Sequence, residues 1–68
     1  MQSVARITEI SARSDTSFED AISVGITRAT ESLRGVKGAW VKEQEVVIDD
    51  GKVIAYEVKL KVTFQLDD

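Results

Sequence analysis

The one tryptophan of this chain, Trp40, lies in the stretch VKGAWVKEQ, with Lys37 and Lys42 on either side and Glu43 and Gln44 close behind. An indole among charges packs into its own subunit's core, anchors a subunit interface, or serves as a stacking plate for a flat aromatic ligand. The last two uses are compatible when the ligand sits at an interface. Carboxylates supply the other candidate chemistry. Glu43 and Glu45, two apart on a strand, point to one face and either line the polar interior of an assembly or meet water. Asp49-Asp50 before Gly51, and Asp67-Asp68 further on, offer the oxygen ligands that Ca²⁺ or Mg²⁺ prefer. Turn chemistry and a solvated tail account for those aspartates more simply, because EF-hand spacing is absent.

Missing residue types exclude a good deal. The sequence has no Cys and no His, which removes disulfides, thiolate and imidazole metal sites, and catalysis by either group. No Ser-Lys motif is recognisable, and the glycines at 25, 35, 38 and 51 form neither GxGxxG nor a P-loop. No enzyme activity is expected. The net charge of −3 argues against a nucleic-acid partner, which calls for a basic footprint. MQSVARITEI lacks a positive region followed by a long apolar run, and no apolar stretch approaches the roughly 18 residues of a membrane span. The expectation is a soluble, cytoplasmic protein with no membrane partner.

These side chains need a scaffold, and the sequence predicts one domain over residues 1–68 in the order strand, helix, strand, strand. In KVIAYEVKLKVTFQL, Ile54, Tyr56, Val58, Leu60, Val62, Phe64 and Leu66 alternate with mainly polar residues, the mark of a long strand with one buried face. Asp-Gly ahead of it signals a hairpin with an antiparallel strand from about Ala39 to Ile48. A helix from Phe18 to Arg34 follows from the apolar stripe Phe18, Ala21, Ile22, Gly25, Ile26, Ala29 and Leu33. Ser17 is its N-cap, with Asp20 completing a variant capping box, and Gly35 fits C′. Gly25 on the stripe implies a backbone lying close to the sheet. The first strand is VARITEI, with SARSDTS as a polar loop. The fold class is α+β, a three-stranded antiparallel sheet wrapped around one helix. A chain of 68 residues buries only about 60% of its unfolded surface, so several copies are expected to assemble.

In this order, with TSFEDAI and GITRA in the helix, DGKVIAYEVKLKV as the hairpin and TFQLDD after it, the chain resembles the dodecins over nearly its whole length. The resemblance implies a hollow homo-dodecamer of cubic symmetry that binds pairs of flavins at two-fold contacts to store, buffer and quench them. It places the family's flavin-stacking tryptophan on Gly38, with Trp40 two residues on and on the same face, about 7 Å away. The family's flavin-contacting glutamine falls on Glu57, and two phosphate-meeting arginines of some members fall on Glu45 and Gln65. Riboflavin is therefore favoured over FMN or FAD, held by Trp40, Gly38, Gln44 and Glu57. The alternative is a flavin-free shell whose acidic channels, with Glu43, Glu45 and Asp49, bind calcium or magnesium. Twelve copies of a −3 chain carry roughly −36. A third reading is an interaction module that recruits a protein along an exposed sheet edge.

Overall fold

The computed structural model describes residues 4–66, arranged as β1 (Ala5–Ser14), α1 (Phe18–Ser32), β2 (Val36–Asp49) and β3 (Lys52–Gln65). The three strands form one antiparallel sheet in the order β1-β3-β2, with the helix against one face. This is the β-α-β-β architecture the sequence predicts.

Alternation in β3 places Val58, Leu60 and Val62 under the helix, all essentially buried. Ala21, Gly25 and Ala29 meet them from α1, and Ile10, Ala12, Phe18, Ile22, Ile26, Leu33 and Val36 close the margins. Small residues on the helix stripe let it approach closely. A Cβ on Gly25 would lie 2.9 Å from Leu60 Cδ1 and 3.1 Å from Ala12 Cβ. The alternating pattern fails at its ends, where Ile54 and Leu66 are exposed.

Helix α1 starts as its sequence suggests, with the Ser17 hydroxyl accepting from the Asp20 N–H at 2.9 Å. The reciprocal half of the capping box is replaced by another contact. The Asp20 carboxylate accepts from the Ser14 hydroxyl at 2.6 Å, which ties the end of β1 to the first helical turn. The helix ends two residues earlier than the sequence suggests, with Leu33 as its C-cap. Gly35 adopts a left-handed φ of 70° just beyond, and its carbonyl accepts from the Gln65 N–H at 2.9 Å.

The β2–β3 turn is Asp50-Gly51, with φ of 51° and 74°, the paired positive values of a type I′ hairpin. Asp50 thus serves as a turn residue and Asp49 closes β2 opposite Lys52, while Asp67 and Asp68 lie outside the described residues. Two strand boundaries differ from expectation. β2 begins at Val36 rather than Ala39, and Ser11–Ser14, expected as loop, continue β1. Strand β3 imposes that continuation: it offers partners from Ala5↔Gln65 to Ser14↔Tyr56, so the polar segment gains ladder hydrogen bonds it could not form alone.

Candidate functional site

The sheet face turned away from the helix carries the candidate residues, and a bulge decides which of them reach it. Facing residues of an antiparallel pair share a face. Trp40 faces Lys61 and Val41 faces Leu60, but the next pair is Glu43↔Lys59, so Lys42 is an extra residue. Before the bulge, Ala39 and Val41 join Val62 and Leu60 on the helix side. After it, Gln44 and Val46 do so, opposite Val58 and Tyr56. Trp40, Glu43 and Glu45 are thereby brought onto one face, which strict alternation forbids.

Two ends of this outer face differ in chemistry. At one, Gly38 faces Thr63 and Trp40 faces Lys61, which puts Gly38 and Trp40 on the same side as expected. The indole is 47% exposed, so its own core does not claim it. Lys61 Nζ lies 5.9 Å from the ring centroid, within cation–π range. A Cβ built on Gly38 meets nothing within 4 Å, so the sheet beside the indole is an open shelf. A cavity of ≈380 Å³ borders the same stretch on the helix side, lined by Ile22, Ile26, Val36, Val41 and Leu60 among others.

At the other end, Glu45 faces Glu57, and Glu43 lies one row away beside Lys59. With Gln44 and Lys59 these carboxylates line a cavity of ≈320 Å³. Arg13 Nη2 and Nε donate to Glu57 Oε2 at 3.0 and 3.3 Å, and Lys59 Nζ is 3.8 Å from Glu43. Glu45 has no ion-pair partner among the described residues. No group of three or more acidic side chains is arranged to hold a metal among the described residues.

Of the sequence candidates, the fold brings together Trp40 with Gly38, and Glu43 with Glu45. Glu57 lies four residues along β3 from the level of Trp40, about 13 Å away. Gln44 stands opposite Val58, on the other face from Trp40, because the bulge turns it. Within one protomer these four residues do not form a single pocket. Three further residues join the face: Arg13, Lys61, and Lys42, which reaches across β3 to bring its ammonium 3.4 Å from both oxygens of Glu9. A phase change in the sequence marks this bulge, since the helix-side positions of β2 are odd at Ala39 and Val41 and even at Val46.

Comparison with known proteins places this geometry. The sequence model of the family Dodecin matches residues 4–67. The calcium dodecin of Mycobacterium tuberculosis is 34% identical over 64 residues, 94% of this chain and 90% of that protein. Its crystal structure, described as a calcium-chelating antigen with a novel calcium-binding site, matches with a TM-score of 0.83 over 96% of this chain and 93% of that one. The dodecin from Streptomyces davaonensis, 31% identical, matches with a TM-score of 0.93 over the whole of both chains. The dodecin of Streptomyces coelicolor, 30% identical, gives 0.91 over 97% of this chain and 94% of that one.

Proposed function

The chain belongs to the dodecin family, and from that premise we propose that it assembles as a hollow homo-dodecamer that holds a flavin-class ligand against Trp40 where subunits meet. The observation that carries the ligand reading is the pairing of a half-exposed indole with the open shelf at Gly38. Stacking on such a plate gains about 0.5–1.5 kcal/mol beyond area burial, and the shelf leaves room for a ring system wider than the indole. The Glu57 carboxylate accepts from a ring N–H only if it comes from another copy, since its own Trp40 lies about 13 Å off. A flavin held on an indole is in contact with an electron donor. Its excited state is quenched by electron transfer from the indole and immediate return of that electron, before it can react with other molecules. Storage and quenching, rather than turnover, is the activity this arrangement suits.

Unsupported length favours assembly. Each hairpin strand has 14 residues and runs about 46 Å, while the 15-residue helix spans about 22 Å. Half the hairpin therefore lacks a helix to cover it, and Ile48, Val53 and Ile54 stand 61%, 49% and 50% exposed there. Neighbouring copies supply the missing cover.

Riboflavin titrated into ligand-free protein tests the site, with flavin and tryptophan emission followed together. We expect mutual quenching that saturates near one flavin per chain, lost in Trp40→Ala while the particle keeps its size in gel filtration. Unquenched emission at micromolar protein would sink the flavin reading, and a broken particle would make Trp40 an assembly anchor.

A second reading has support from Glu45, which faces Glu57 and has no ion-pair partner among the described residues, and from the calcium-dodecin relative. In it, Glu43 and Glu45 from neighbouring copies hold calcium or magnesium. Its signature is a melting temperature that rises with calcium and ignores riboflavin.

A further inference from the structure

We propose that Lys61 makes the Trp40 plate selective for flat aromatic ligands that carry a negative charge, a specificity resting on the reading of Trp40 as the ligand plate. The register places Lys61 directly between Glu9 on β1 and Trp40 on β2. A lysine facing a glutamate across an antiparallel pair ordinarily forms an ion pair with it. Here it does not. Glu9 is instead engaged by Lys42, whose ammonium lies 3.4 Å from both carboxylate oxygens, and the Lys61 ammonium turns to the indole.

The bulge produces this exchange of partners, because the extra residue is the lysine that reaches Glu9. Of the cations near the plate, Lys37 and Lys61 have no ion-pair partner among the described residues, and Lys61 is the one that lies over the indole. Lys42 offsets Glu9, Lys59 offsets Glu43, and Lys61 has no carboxylate within ion-pairing distance among the described residues. A chain of net charge −3 thus presents a positive point beside its aromatic plate. Long-range repulsion from the rest of the chain is screened beyond about 8 Å at physiological salt. At contact the local ammonium dominates, and it is a compact charge on a flexible stem that suits a phosphate-class anion. Sequence position alone favours the phosphate-free flavin, since Glu45 and Gln65 stand where the resemblance places arginines. Lys61 supplies a cation from a position the resemblance does not mark.

The test compares dissociation constants of riboflavin and FMN, which differ by a phosphate, for the assembled protein at physiological and high salt. FMN is expected to bind roughly five- to tenfold more tightly at physiological ionic strength, where long-range repulsion is screened, with the advantage shrinking as salt rises further. Lys61→Gln should bring the ratio close to one, and Lys61→Arg should retain it. Lys52→Gln in the hairpin, which changes net charge equally, should leave the ratio as it was. Equal affinities in the unmodified protein, or an FMN preference that survives Lys61→Gln, overturns the selectivity while the plate stands. Failure of both flavins to bind overturns the plate and the selectivity together.

Discussion

The two ladders that flank β3 are built differently. β1 pairs with it through ten consecutive positions without a shift, whereas β2 changes register three times, at Val36/Gly38, Val41/Glu43 and Val47/Ile48. The regular ladder carries core on one side, with Ile10 and Ala12 against the helix, and ion pairs on the other. The interrupted ladder carries the candidate site. Each bulge re-aims the side chains that follow it, so β2 presents an indole and two carboxylates on one face that alternation would divide. Regularity holds the fold together, and irregularity positions the chemistry.

Deleting Lys42 makes the two ladders alike at this bulge. The hairpin turn fixes the register of residues 43–49, and Val41 then precedes Glu43 in an unbroken ladder, so Trp40 stays opposite Lys61 and Val41 opposite Leu60. What is lost is the Lys42–Glu9 pair, which frees Glu9 to take Lys61 from the indole. We expect the FMN preference to disappear while stability in urea changes by no more than about 1 kcal/mol and Trp40 emission stays near its native wavelength. A strong blue shift of Trp40 emission, or an FMN preference that survives, would show that the bulge does not set the partners of Glu9 and Lys61.

Gly25→Ala probes the regular side. The new methyl group meets Leu60, which is 1% exposed and has nowhere to go, and Ala12, which cannot turn away. Overpacking of about 1–3 kcal/mol exceeds the roughly 1 kcal/mol gained in helix propensity, so thermal melting should move down by a few degrees. A rise would mean the helix has slack over the sheet. Arg13→Ala should do least. Its partner side chain is 22% exposed and its own 59%, so solvent screens the pair and the loss stays under about 1 kcal/mol in chemical denaturation.

The same contrast explains what the sequence made legible. Val58, Leu60 and Val62, the helix stripe with its close approach at Gly25, the Ser17 cap and the Asp50-Gly51 turn all obey local rules, and residue types reveal them. Ser11–Ser14 did not read as strand because their extended form depends on partners more than forty positions away. The faces of Trp40 and Gln44 depended on one bulge, whose only trace is a change of phase among a few apolar residues. Lys61 drew no notice because its significance lies in where its ammonium points, which depends on Lys42 having taken Glu9.

The most direct test of the plate is riboflavin affinity in Gly38→Val, set beside urea stability and particle size. Nothing in the protomer lies within 4 Å of a Cβ at this position, and the added branches favour a strand, so folding of the chain should be unaffected and particle size reports whether assembly persists. The shelf beside Trp40 would be filled, and affinity should fall at least tenfold. Undiminished riboflavin binding by a stable, correctly sized Gly38→Val assembly would contradict the account, because the ligand would then lie somewhere other than against Trp40 and Gly38.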